Sequence, residues 1–487
     1  MLSRQLASVL IGAGLSTLVA LMVIFVEGDA GPAGPPGRAV PPVATTSVPP
    51  PIPSPNSAPL TSPATVPAPT KPVIGSDFPD PDILKVGDVY YAYSTNSGGK
   101  ELPIATAPAL TGPWTKQSGD GLPDLPSWAS DGRTWAPEVV ARQDGTYALY
   151  YTARRSGTDK QCIGVATSVS PGGPFKPVGD APLICPLNLG GAIDAAAFTD
   201  SDGARYLLYK CRGYDARKPA TIFIQRLTPD GLARLGPPRS LLTRDKREPS
   251  LIEAPALVQR GGKYVLFYSA GSYYKSEYET WYAVASSVNG PYTKMSGPLL
   301  STERYGERVR GPGGGDVFSE GGADYLIFHG ILKSGGGKDV TRGMFAASLG
   351  WDGARPVVHG SPVRLEAENG RTSNCGTALS RRKASGGKAL AAVEGDGCRL
   401  DLDVFVPVTA TYDVRVRYAN RSGIDGYQEL TANSLTPTAV TLARTSRSQW
   451  RTTTVSIPLK AGWNILSLRR VSGMGEVDYL EVLEAQG

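Results

Sequence analysis

From Asp77 onward, the apolar positions of this chain fall in short strand-length runs, with almost no helical spacing between them. Runs of this kind, closed by glycine-containing turns, predict buried β-strands and not amphipathic helices. Five segments share one plan: a short motif, an apolar strand, a glycine turn, then a tyrosine-rich strand. They run from Asp80-Pro-Asp-Ile-Leu to Tyr90-Tyr-Ala-Tyr-Ser, from Ala136-Pro-Glu-Val-Val to Tyr147-Ala-Leu-Tyr-Tyr, and from Asp194-Ala-Ala-Ala-Phe to Tyr206-Leu-Leu-Tyr. The last two run from Glu253-Ala-Pro-Ala-Leu to Tyr264-Val-Leu-Phe-Tyr and from Gly314-Gly-Asp-Val-Phe to Tyr325-Leu-Ile-Phe-His. Starts at 80, 136, 194, 253 and 314 give a period of about 60 residues. A Gly-Pro-aromatic turn at Trp114, Phe175 and Tyr292 keeps the same beat, and the third segment has Thr228-Pro-Asp-Gly instead. Strands repeated at this period predict an all-β fold, a five-bladed β-propeller over residues 73–360, with about four strands to a blade.

After residue 360 the repeat stops. Alternating strands are expected at 398–406, 412–418, 452–459, 464–470 and 476–483, and period-2 patterning of this kind predicts a β-sandwich of jelly-roll type over 361–487.

Composition agrees with turn-rich β structure, since the chain holds 58 Gly and 42 Pro. The net charge of +6 is small for 487 residues and its basic residues are scattered, so nothing points to nucleic acid. The N-terminus adds export. Arg4 precedes an uncharged apolar run over 6–26. Its length, ~20 residues, matches a bilayer span, whereas a signal-peptide core is usually ~7–15. Gly28-Asp29-Ala30 nevertheless offers a small-x-small cleavage site. Residues 1–30 are thus a retained membrane anchor or a signal peptide, and either carries the rest to the cell surface or beyond. Residues 31–72, rich in Pro, Ala, Ser and Thr, read as an extended linker. In an exported chain, Cys162 with Cys185 and Cys375 with Cys398 are the natural disulfide pairs, with Cys211 left as a buried thiol. A monomer is expected.

The innermost strands of a propeller line a common axis, so equivalent positions converge. Aligned on the tyrosine strands, these positions are Asp80, Ala136, Asp194, Glu253 and Gly314. Three of them are acids opening apolar strands. Crowded carboxylates shift one another's pKa, an arrangement suited to acid–base chemistry. Cleavage of a glycoside needs two opposed carboxyl groups, and a third can tune the acid.

Phe78-Pro-Asp-Pro-Asp-Ile, Trp135-Ala-Pro-Glu, Ile193-Asp with Asp200-Ser-Asp-Gly, and Ile252-Glu-Ala-Pro resemble glycoside hydrolase family 43, in order and spacing, across 77–355. That resemblance implies an inverting glycosidase of pentose- or furanose-containing polysaccharides, of α-L-arabinofuranosidase type first, with β-xylosidase and galactofuranosidase as alternatives. It implies Asp80 as general base, Asp194 as pKa modulator and Glu253 as general acid. Asp82 aligns with a non-catalytic position, though its place two residues on leaves it a rival for the base. Trp135, Arg310 and Asp316 are the candidate substrate contacts. Many members carry Gly-Pro-Gly-His in the fifth blade, where the His meets a central ion. This chain has Gly311-Pro-Gly-Gly, which leaves Asp316 or His329 to compensate. The rival reading is a silent, glycan-binding propeller.

Val363-Arg-Leu-Glu-Ala-Glu, Ala461-Gly-Trp-Asn-Ile-Leu and Val477-Asp-Tyr-Leu resemble carbohydrate-binding modules of families 6 and 35. The resemblance implies a structural calcium at Glu366, Glu368 and Asp478, a donor set that suits this hard cation. Tyr427, Trp450 and Asn464 are candidate sugar contacts.

Overall fold

A computed structural model describes residues 69, 71–211, 218–305, 307–390, 396–446 and 449–485. The expected anchor or signal and most of the linker lie outside the described residues. Among those described, no helix is long and apolar enough to cross a membrane. Their regular elements are strands and three short 3₁₀ turns.

The repeat appears as five successive four-stranded antiparallel sheets, over residues 82–116, 129–177, 193–243, 252–294 and 313–358. The first strand of each sheet touches the first strand of the next, and the fifth sheet's first strand touches that of the first sheet. The tyrosine-rich strands are apolar on both faces because both faces are covered. In Tyr147–Arg155, Ala148 and Tyr150 pack against Leu207 and Tyr209 of the third sheet, while Leu149 and Tyr151 pack against Tyr93 and Ile104 of the first. Similar apolar clusters fill the other gaps between neighbouring sheets. The segment before the first sheet fastens the last one: Val73 N and Phe78 N donate to Met344 O (2.8 Å) and Arg342 O (2.7 Å).

Beyond Val358, two further sheets face each other across a core that includes Leu400, Val404, Val414, Leu430, Leu466 and Leu480. The five expected strands are present, at Arg399–Val406, Ala410–Ala419, Arg451–Leu459, Gly462–Ser472 and Glu476–Glu484. Gly426–Ala432 and Thr438–Leu442 are additional. The first of these hides its alternation because Gln428 occupies a position that is buried. Cys162–Cys185 and Cys375–Cys398 form disulfides, each closing a separation of 23 residues, and Cys211 is buried.

Leu208 is fully buried between the third and fourth sheets. Leu208→Ala is expected to cost ~2–5 kcal/mol, the range for a large-to-small change in a packed core. Urea denaturation checks this, and a loss below ~1 kcal/mol would show that the inter-sheet packing is looser than described.

Candidate active site

The same backbone kink recurs in or just before each inner strand. Asp80 (φ 49°), Ala136 (42°), Asp194 (59°), Ala254 (49°) and Gly314 (59°) all sit in the left-handed region. That conformation costs an L-residue of order 1–3 kcal/mol and persists only when its surroundings fix it. Here a polar side chain fixes each one. Ala136 N donates to Thr95 Oγ1 (2.9 Å), Asp194 N to Thr152 Oγ1 (3.1 Å) and Gly314 N to Ser269 Oγ (2.8 Å). Ala254 N donates to Asp194 Oδ2 (2.9 Å), and Asp80 N lies 3.2 Å from His329 Nδ1.

The kinks correct the equivalence expected from sequence. In the fourth sheet the matching residue is Ala254, and Glu253 stands one place before it. The register breaks between Glu253 and Ala256, as it does between Trp135 and Glu138 and between Gly313 and Asp316. The bulge is common to these sheets, so the offset comes from the turn: residues 261–262 join the two strands in the fourth sheet against 142–146 in the second, and counting back from the tyrosines overshoots.

Asp80 and Asp194 line one central pocket with a cavity of ≈40 Å³, room for a water molecule. Burial pushes the Asp80 carboxyl up, but Arg342 (Nη1 to Oδ1, 3.0 Å), His329 and Thr95 (Oγ1 to Oδ2, 2.7 Å) hold it well below the usual carboxylate range. Asp194 goes the other way. Burial and the neighbouring Glu253 push it up to about 8, against the opposing pull of Lys210 and the Ala254 N–H. Asp80 is therefore ionised at neutral pH while Asp194 keeps its proton. Glu253 adjoins them, accepting from Tyr278 Oη at 3.1 Å and lying 3.5 Å from the buried Lys210 Nζ. Tyr278 stacks on His329 with ring centroids 5.5 Å apart, so a continuous chain of contacts joins Glu253 to Asp80.

Two residues beyond the kinks lies a second set of acids. Asp82 accepts from Val139 N (2.7 Å) and Glu138 accepts from Ala197 N (2.9 Å), each acid bonding to the next sheet's inner strand. Asp82, Glu138 and Asp316 bring donor oxygens within 4.8 Å of one another in the same pocket. Burial first, then the charge of Asp316, raises Asp82 well above its ordinary value. Burial raises Glu138 likewise, helped by Asp82 and Asp316, and burial raises Asp316. Such a floor needs protons or a hard cation, and three carboxylates are a suitable donor set for the latter. The same beat read two residues onward along the sequence would have found it.

The other expected residues are spread more widely. Asp316 lines the pocket. Trp135 is half-buried beside Ser94, Leu122 and Tyr151 and does not line the pocket. Arg310 is exposed and outside the pocket lining. No side chain fits at Gly314, where an added Cβ would meet His329 at 2.6 Å and Asp80 Oδ1 at 2.8 Å. The imidazole of His329, from the adjacent strand, fills that space. Sequence reading missed Arg342, Lys210 and Tyr278, which come from outside the repeated motif.

In the C-terminal sandwich, Ser385 links two of the expected acids, donating from Oγ to Glu366 Oε1 (2.7 Å) and from N to Asp478 Oδ1 (2.9 Å). Glu366 Oε2 and Glu368 Oε2 are buried with no hydrogen-bond partner, as cation ligands would be, whereas Asp478 is also paired with Arg417. Asn464 is buried and holds a turn through Lys460, so it is structural; Trp463, exposed at 55 %, was overlooked.

Between its ordinary value of 3.8 and about 8, Asp194 binds a proton in the folded chain that it lacks when unfolded. Its contribution to stability therefore falls as pH rises through that window. Asp194→Asn removes this dependence, so the variant should gain on the wild type in melting temperature between about pH 5 and about pH 8. Parallel melting curves at the two pH values would remove Asp194 as the raised group.

Against known proteins, the model of Glycosyl hydrolases family 43 matches residues 69–354, more than half of the 487. Arabinan endo-1,5-alpha-L-arabinosidase B of Emericella nidulans is 34% identical over 138 residues, which are 26% of this chain and 34% of that protein. The chain thus spans about a third of that relative's length. Extracellular exo-alpha-(1->5)-L-arabinofuranosidase ArbA of Cellvibrio japonicus is 26% identical over 309 residues, 57% of this chain and 84% of that protein. Among solved structures, a thermostable family-43 glycoside hydrolase superposes with a TM-score of 0.52 at 28% identity, covering 58% of this chain and 93% of its own. With this match over its five sheets and their carboxylate pocket, the chain belongs to glycosyl hydrolase family 43 and is a glycoside hydrolase.

Proposed function

We propose that the chain is an exported, inverting glycosidase of arabinose-containing polysaccharides, of α-L-arabinofuranosidase type, with its five sheets serving as propeller blades. One observation carries the reading: an ionised Asp80 and a protonated Asp194 share a single pocket, with Glu253 against Asp194. Acid and base work at one pH requires carboxyl groups whose environments drive them apart. Asp80 takes a proton from water as the water oxygen bonds to the anomeric carbon. Glu253 takes over the proton held at Asp194 and delivers it to the departing glycosidic oxygen as that oxygen's bond to the carbon breaks, which leaves the configuration inverted. Lys210 and Tyr278 orient Glu253, and Asp194 holds the proton that keeps this side of the pocket acidic.

Arabinose comes first among the sugars because the two relatives described above are named for arabinan or arabinofuranoside cleavage. Xylosidase and galactofuranosidase activity are the alternatives within the class. Export rests on the apolar run over 6–26, and an extracellular relative agrees with it. Asp316 is the best placed of the proposed sugar contacts, with Trp135 and Arg310 at more distant positions. The C-terminal sandwich is read as a carbohydrate-binding module that keeps the enzyme near its polymer. Glu366, Glu368 and Asp478 would hold a structural calcium there, and the unpartnered oxygens of the two glutamates support this. In the central pocket, a cation would sit on Asp82, Glu138 and Asp316 and would supply positive charge under the sugar.

Hydrolysis of arabinan, arabinoxylan, xylan and galactofuran, with product analysis by NMR, tests the proposal. Arabinose released with inverted configuration is expected, and a wild type that binds polymer but cleaves nothing would establish the silent-lectin reading instead. Asp80→Asn should lower kcat ~10²–10⁴-fold on every substrate. Glu253→Gln should lose as much on polymer while retaining most activity on aryl glycosides whose leaving group needs no proton. Should Asp194→Asn show that leaving-group dependence and Glu253→Gln not, the two roles are exchanged.

A further inference from the structure

A second cavity, of ≈360 Å³, opens where the fifth sheet passes into the C-terminal sandwich. Its size falls within the ~300–1,000 Å³ typical of small-molecule sites. Arg304, Arg355 and Arg364 line it, with Tyr282, Pro298 and Pro356 among its walls.

The positive charge here exceeds what the protein neutralises. Glu481 is shared by Arg364 (3.0 Å) and Arg415 (3.7 Å). Arg355 reaches Asp352 only at 4.0 Å. The half-buried Arg304 donates to a carbonyl, that of Pro362, at 3.4 Å. Glu481 and then Glu303 act on Arg304, and Arg304 on Glu279, only through longer-range attraction; none of these acids forms an ion pair with it among the described residues. Burial lowers the pKa of Arg304, and the charges of Arg364 and Arg355 add to that. A bound anion would offset the mutual repulsion of these guanidinium groups.

We propose that this cavity is a binding site for a small anionic ligand, a carboxylate or phosphate carried on a body about the size of a sugar ring. Guanidinium groups present planar forks of donors that match either anion in two-pronged fashion. Apolar walls of tyrosine and proline suit the faces of a ring. Nothing in this site touches the central pocket, so the inference stands apart from the proposed reaction. Its three arginines come from the segment before the fifth sheet, from that sheet's last strand and from the sandwich's first strand, so a bound ligand would tie these parts together.

Isothermal titration of the full chain with sodium galacturonate, inorganic phosphate and neutral arabinose tests the site, with melting temperature as a second readout. At least one anion should bind saturably and raise the melting temperature, with arabinose failing to compete. Arg304→Gln and Arg355→Gln should each weaken that binding about tenfold, the loss expected of a charge-assisted pair, while hydrolysis stays unchanged. Galacturonate alone would identify a carboxylate ligand, and phosphate alone a phosphate ligand. Arg355 is exposed, so its variant carries the test if Arg304→Gln fails to fold. Absence of binding by both anions, equal binding by arabinose, or undiminished binding in the variants would overturn the proposal.

Discussion

A left-handed residue in or just before each inner strand, clamped by a polar group, is the constraint on which the pocket depends. Relaxing Asp80 or Asp194 into ordinary extended backbone would turn its carboxyl away, because side chains alternate along a strand. Each kink at an L-residue is costly in isolation. Thr95 and Thr152 offset that cost by accepting the kinked N–H groups of Ala136 and Asp194, Asp194 does the same for Ala254, and the fifth kink falls on Gly314, which bears no such cost. Structure and chemistry are thereby linked, since Thr95 and Asp194 fix a neighbouring kink while taking part in the electrostatics of the pocket.

Two aspartates in equivalent positions come to opposite charge states for identifiable reasons. Both are buried. Asp80 faces the Arg342 guanidinium and His329, whereas Asp194 faces another carboxyl, with Lys210 only partly compensating. Symmetry of the backbone thus places the groups, and side chains outside the repeat set their protonation. The carboxylate floor beneath adds to the demand for positive charge at the axis.

The sheets were legible in the sequence because each tyrosine-rich strand is covered on both sides, which leaves a strong apolar run every period. The acids were legible because they share the beat. Glu253 was placed one position off because the turn after its strand is shorter than that of the second sheet, and counting back from the tyrosines carries the difference into the inner strand. Arg342, Lys210 and Tyr278 were not legible: each lies on a second or third strand or just before one, where only tertiary contact gives it meaning. In the sandwich, buried Gln428 masks one strand, and Asn464, a candidate sugar contact on sequence, is buried.

Direct titration of the carboxyl groups by carbon-13 NMR on aspartate-labelled protein bears most closely on this account. One resonance, absent in Asp194→Asn, should titrate near pH 8, while the Asp80 resonance stays at its ionised position down to the acid limit of the folded state. Asp194 and Asp80 titrating together in the ordinary carboxylate range would contradict the division of charge from which the proposed chemistry follows.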